Sequence, residues 1–303
     1  METINTQLSL SRWKVWWLAA RPKTLWASVA PVLMGAAMAY SDGKFHGISA
    51  LAALVGAILI QIGTNLANDY YDYLKGADQQ RRLGPLRVTQ AGLIAPLSMK
   101  RAFIFTFFLA FVIGTYLIWR GGLPILIIGF FSILLGILYT GGPFPLGYNG
   151  LGDIFVLIFF GPVAVGGTYY VQALTLTPEV VVAGLAPGLL STALLTVNNL
   201  RDIDTDREAG KKTLAVRFGK HFAQWEYMFC ILVAAFLPVY LSMTLHAHYF
   251  SILAILFLIP AIGEIKTIFN FHDPAVLNQT LARTGKMIFL YSVLFSIGWI
   301  LPG

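Results

Sequence analysis

Two stretches of this 303-residue chain gather the residue types that hold hard cations and phosphate groups. The first contains Asn65, Asn68, Asp69, Asp72, Lys75 and Asp78. The second contains Asn198, Asn199, Arg201, Asp202, Asp204, Asp206 and Glu208. Together they hold half of the chain's 14 carboxylates. Residues four apart share a helical face, which pairs Asn68 with Asp72 and Asp202 with Asp206. Two carboxylates on one face repel each other unless a proton or a cation stands between them. Mg2+ suits that position: it takes oxygen ligands, one or two of them protein carboxylates, and completes its shell with water and substrate phosphate. Two such clusters on different helices could clamp a diphosphate through metal ions while Lys and Arg pair the remaining oxygens. A lone DxxxD is more often a solvated partner of nearby cations. Here both clusters abut apolar runs and both carry Asn in the last helical turn, where polar groups tend to be functional.

The elements that position these groups are membrane spans. Hydrophobic residues make up 57% of the chain and charged ones 12%, against about 25% charged in an ordinary soluble domain. That excludes a soluble enzyme and a disordered chain, and a single cysteine excludes a disulfide scaffold. A crossing helix needs about 20 mostly apolar residues. Nine runs qualify: Thr24–Tyr40, Ile48–Leu66, Ala102–Trp119, Leu123–Thr140, Ile154–Leu174, Val180–Val197, Tyr227–Leu245, Tyr249–Gly263 and Met287–Leu301, the eighth being short. Ser11–Arg21 mixes aromatics and cations, so no cleavable signal is expected.

All but Lys44 and Arg120 of the 21 Lys and Arg fall on one side of these runs. Cations stay in the cytoplasm, so the amino terminus is expected inside and the carboxyl terminus outside. The net charge of +7 thus reflects topology rather than a nucleic-acid partner. The long cytoplasmic connections are expected at about 68–101 and 198–221, and both acidic stretches open them.

Several longer motifs resemble the UbiA superfamily of intramembrane prenyltransferases, and within it the branch that prenylates 1,4-dihydroxy-2-naphthoate. They are Arg21 to Leu25, Asn65 to Asp72 with Lys75, Gly76 and Asp78, Gly84 to Arg87, Gly150 to Asp153 with Phe159 to Gly161, and Asn198 to Asp202 running on to Gly210–Leu214. The likeness covers the chain from Arg21 to the last run. One departure stands out: the wider superfamily has a third acidic residue four positions after the second, and this chain has Gly76 there with Asp78 two residues on.

The resemblance implies an all-α protein of nine transmembrane helices forming one domain over residues 1–303, in the plasma (inner) membrane with its active site on the cytoplasmic side. It implies transfer of a polyprenyl group from polyprenyl diphosphate to 1,4-dihydroxy-2-naphthoate with Mg2+ as cofactor, releasing CO2 and diphosphate and giving demethylmenaquinone. Metal coordination is expected from Asp72, Asp202 and Asp206, joined by Asp69 or Asp78. Diphosphate contacts are expected from Asn68, Arg81, Arg82, Arg87, Asn199, Lys211 and Lys212. An allylic cation needs shielding from water and support from π faces, for which Tyr139, Tyr148 and Tyr70 stand in suitable places. Tyr148 is also assigned to the acceptor with Arg21 and Lys23. The alternatives are another aromatic acceptor, 4-hydroxybenzoate or homogentisate, and a transporter, which would place its charges near the bilayer midplane. His246 and His248 have no carboxylate or cysteine beside them, and Cys230 sits in an apolar run as packing.

Overall fold

The computed structural model describes residues 11–76, 83–84 and 86–302. Asp78, Arg81 and Arg82 lie outside the described residues. Every regular element among the described residues is helical. The order is α1 (Arg12–Ala20), α2 (Pro22–Ser41), α3 (Gly47–Leu74), α4 (Pro96–Gly121), α5 (Leu123–Leu138), α6 (Gly152–Ile158), α7 (Ala164–Ala173), α8 (Pro178–Arg201), α9 (Ile203–Glu208), α10 (Leu214–Leu245), α11 (Leu258–Asn270) and α12 (Leu277–Ile300). Proline stands in the first turn of α2, α4, α5 and α8, where a missing N–H costs no hydrogen bond. Thr213 starts α10 by accepting a hydrogen bond from the Val216 N–H at 3.3 Å.

Each of the nine apolar runs is helical, though not each in one piece. The fifth run bends between α6 and α7 through a wide turn at Phe159–Val163, where Gly161 leaves helical geometry and Pro162 follows it. The eighth begins as a tight 3-10 stretch, Tyr249–Phe257, before α11. Among the described residues, seven helical segments are long and apolar enough to cross a membrane. The 16-residue α5 is apolar but shorter, and α12 carries Arg283 and Lys286 in its first half.

The boundaries correct one expectation. The acidic stretches do not open loops, because α3 continues to Leu74 and α8 to Arg201. Asn65, Asn68, Asp69 and Asp72 are helical side chains, as are Asn198, Asn199 and Arg201. A helix extends past its apolar stretch without loss when its last polar turns find partners inside the protein, as these do.

Two apolar cores flank a central space. The larger joins α2, α7, α8, α10, α11 and α12 around Tyr169, Leu190, Tyr227 and Tyr291. The smaller joins α1, α3 and α4 around Val15, Ala67, Met99 and Phe103, with Val88 and Ile94 from the α3–α4 connection. Between them lies a chamber of about 820 Å³, walled by α2 to α8 and reaching residues beyond α9.

Candidate active site

One end of the chamber is polar and the rest apolar. Asn68, Asp72, Arg87, Tyr148, Asn198, Asn199, Asp202, Asp206 and Lys211 line the polar end. Side chains from both acidic clusters thus line the same chamber. Asp72 is 2% exposed. Its Oδ2 accepts from Arg87 Nη2 at 2.7 Å and its Oδ1 from the Tyr148 hydroxyl at 2.8 Å. One turn earlier, Asn68 Oδ1 accepts from the Thr140 hydroxyl at 2.7 Å.

The second cluster is built from the α8–α9 junction. Arg201, whose side chain is fully buried, grips Asp202 in a two-pronged ion pair, Nε to Oδ1 at 2.8 Å and Nη2 to Oδ2 at 2.6 Å. The same guanidinium donates to Asn198 Oδ1 at 2.8 Å and to Asn278 Oδ1 at 3.0 Å. Asn278 in turn donates to the Leu83 carbonyl at 2.8 Å, which ties α12 and the α3–α4 connection to this junction. One turn on, Asp206 pairs with Lys211 Nζ at 2.9 Å, and the Lys211 N–H donates to the Asp206 carbonyl at 2.8 Å. Asp204 is different: exposed, it pairs among the described residues only with exposed Arg207, the solvated role that a lone acidic residue usually has.

Tyrosines join the clusters. The Tyr148 ring has Lys75 Nζ 4.7 Å from its centroid and Lys211 Nζ 5.0 Å from it. Its carbonyl accepts from the Lys212 N–H at 2.7 Å. Lys75 Nζ also donates to the Thr140 carbonyl at 2.6 Å. Partial burial lowers the Lys75 pKa below the usual lysine value, with Asp72 pulling the other way. Tyr139 lines the chamber beside Gly147 and Gly152. A methyl group on Gly147 would stand 2.8 Å from the Tyr139 ring, and one on Gly152 would stand 2.9 Å from its hydroxyl. Glycine at both positions makes room for that tyrosine.

Beside the acidic clusters lies a second polar patch. Arg21, held in a left-handed conformation (φ 52) between α1 and α2, faces the chamber with Thr24, Gln61 and Asn65. Asn65 Nδ2 donates to the Ala20 carbonyl at 3.0 Å and to Thr24 Oγ1 at 3.2 Å.

Not every expected residue comes to the chamber. Asp69 is buried on another side of α3, where it accepts from the Thr89 N–H at 3.4 Å and anchors the α3–α4 connection. The side chains of Lys23 and Lys212 are exposed and line no part of it. The sequence placed Arg201 and Asn198 in the second cluster without giving them a role, and passed over Thr140, Gln61 and Asn278. For Arg201 the signal was its place immediately before Asp202; for Asn278 there was none, since only a contact across 77 residues reveals it.

The oxygen donor types here are those a hard divalent cation takes. Three carboxylates and the amide oxygens of Asn68, Asn198 and Asn199 stand at one chamber end. Among the described residues no three His, Cys, Asp or Glu side chains converge closely enough to hold a metal ion. Asp72, Asp202 and Asp206 instead carry Arg87, Arg201 and Lys211 as counter-ions.

Residues 28–296 match the UbiA prenyltransferase family. The chain is 41% identical over 302 residues to a 1,4-dihydroxy-2-naphthoate octaprenyltransferase of Escherichia coli (strain K12), covering 97% of both chains. A protein of the same name from Haemophilus influenzae is 37% identical, over 95% of this chain and 96% of that one. The structure of a UbiA homolog from Archaeoglobus fulgidus bound to DMAPP and Mg2+ aligns with a TM-score of 0.62 at 16% identity, covering 93% of this chain and 99% of that one. That last likeness speaks for the fold. With an all-helical bundle, several membrane-crossing segments and two acidic clusters on one chamber, the chain belongs to the UbiA prenyltransferase family.

Proposed function

We propose that this protein transfers a polyprenyl group from polyprenyl diphosphate to 1,4-dihydroxy-2-naphthoate, yielding the hydroquinone form of demethylmenaquinone, CO2 and diphosphate. The relatives named for that reaction match nearly the full chain. The observation that supports the chemistry is that Asp72, Asp202 and Asp206 all line one largely apolar chamber. Family membership in a group of prenyltransferases leaves the transporter reading without support.

Mg2+ held by Asp72, Asp202 and Asp206 would neutralise the diphosphate and act on it as a Lewis acid. Arg87 and Lys211 turn from the carboxylates to diphosphate oxygens, and Asn68 and Asn199 donate amide hydrogens. As the allylic C–O bond breaks, its electron pair leaves with the diphosphate, whose growing negative charge these cations and donors stabilise. The Tyr139 and Tyr148 rings stand beside the allylic carbon and limit access of water. Arg21 receives the acceptor carboxylate, with Gln61 and Asn65 beside it for the ring hydroxyls. The ring carbon bearing that carboxylate forms the new C–C bond; the bond to the carboxylate then breaks, its electrons return to the ring, and CO2 departs. Asp69 serves the structure of the connection rather than the metal. Asp78, Arg81 and Arg82 keep the metal and diphosphate roles that the resemblance implies.

Nine crossings with the amino terminus inside follow from the cation distribution. The chamber's acidic end then faces the cytoplasm of the plasma (inner) membrane, the side on which a water-soluble acid and a diphosphate head group are found, while the prenyl tail stays in the bilayer. Membranes containing the protein, given polyprenyl diphosphate and a panel of aromatic acids, test the reading by mass spectrometry. The naphthoate should gain the tail and lose its carboxyl. Transfer to 4-hydroxybenzoate or homogentisate instead would overturn the acceptor assignment.

A further inference from the structure

Glycine inside a helix is destabilising relative to alanine, and in membrane helices it is retained where backbones approach closely. Most buried helical glycines here satisfy that rule. A methyl group on Gly63 would stand 2.8 Å from the Phe107 ring, and one on Gly184 would stand 2.8 Å from the Pro162 backbone. Buried Gly56 of α3 and half-buried Gly114 of α4 and Gly129 of α5 depart from it. No heavy atom of a neighbour lies within 4 Å of where a Cβ would be at any of the three, and all three line the chamber.

Their depth is shared. At a rise of about 1.5 Å per residue, the three lie roughly 9–14 Å from the helix ends opposite the acidic clusters. Gly56 lies about 24 Å along α3 from Asp72 by the same rise. Ser191 of α8, 3% exposed, also lines this chamber, and its hydroxyl has no hydrogen-bond partner among the described residues. A buried hydroxyl in that state suits a ligand with π density, such as an isoprenoid double bond.

We infer that Gly56, Gly114 and Gly129 set the prenyl chain length that the protein accepts, by keeping the far half of the chamber open. The inference rests on the proposed polyprenyl transfer. An extended isoprene unit has four chain carbons and covers about 5 Å, so about five units separate a diphosphate at Asp72 from the glycine level. A tail of two units ends short of that level; a tail of eight passes it. Side chains introduced there obstruct the longer tail alone.

The test compares geranyl diphosphate with octaprenyl diphosphate, 1,4-dihydroxy-2-naphthoate being the acceptor. Gly56→Leu and Gly129→Leu should leave geranyl transfer near the wild-type rate and reduce octaprenyl transfer by at least about tenfold, as an overfilled apolar pocket does. Gly263→Leu is the control: its Cβ would also meet open space, but it lies outside the chamber. It should change neither rate. Equal losses with both donors, or unchanged octaprenyl transfer in both variants, would overturn the inference. Wild-type protein that transfers neither tail would instead refute the underlying reaction, and the inference with it.

Discussion

Tyr148 reaches across from the α5–α6 connection to place its hydroxyl 2.8 Å from Asp72 Oδ1. Asp72 belongs to the first acidic cluster. The Tyr148 ring and carbonyl meet Lys211 and Lys212, which follow the second. One residue thus links the two halves of the site through three different groups.

The Tyr148 hydroxyl is predicted to matter in proportion to that link. A hydrogen bond to a charged group contributes roughly 1.5–3 kcal/mol, which corresponds to about a ten- to hundredfold change in rate. Tyr148→Phe should lower kcat/KM for prenyl transfer within that range and leave the melting temperature nearly unchanged. Activity equal to wild type would show that Asp72 is oriented without it.

Asp72→Ala and Asp206→Ala are predicted to reduce turnover by at least about a hundredfold, the usual loss when a group facing transition-state charge is removed. Asp204→Ala should be nearly silent, because Asp204 is exposed and pairs with exposed Arg207. Rates of product formation in membranes with matched expression decide the matter. A silent Asp206→Ala would remove the second cluster from the mechanism.

The contrast between Asp204 and Asp206 also marks how far sequence alone could reach. The apolar runs are legible because twenty consecutive residues must each be compatible with lipid, and all nine are helical here. The pairing of Asn68 with Asp72 on one face is legible because helix geometry is fixed. The orientation of Asp69 was not legible: it depends on the Thr89 N–H, in a connection with no periodic pattern. The counter-ions were partly legible, since Arg201 and Lys211 stand close to their carboxylates in sequence. Asn278 was not, because its role arises from a contact between helices 77 residues apart in the chain.

Arg201 gives a prediction about stability. Removing one member of a buried ion pair leaves an uncompensated charge, at a cost of about 3–5 kcal/mol. Arg201→Met should therefore lower the thermal stability of the purified protein sharply. Adding Asp202→Asn to it should restore part of that loss while activity stays absent. If Arg201→Met melts like wild type, the pair is not the structural tie that its geometry suggests.

Chelation provides the metal test. Excess EDTA should stop prenyl transfer, and Mg2+ added beyond the chelator should restore it. Diphosphate retention on the protein should follow the same course when it is measured directly with labelled substrate. An enzyme indifferent to EDTA would exclude divalent-ion binding at Asp72, Asp202 and Asp206.

The counter-ions already standing on those three carboxylates carry a consequence for how the protein is made. A newly synthesised chain therefore buries these three carboxylates as neutral pairs, and loss of a partner cation would leave a bare charge that resists entry into the bilayer.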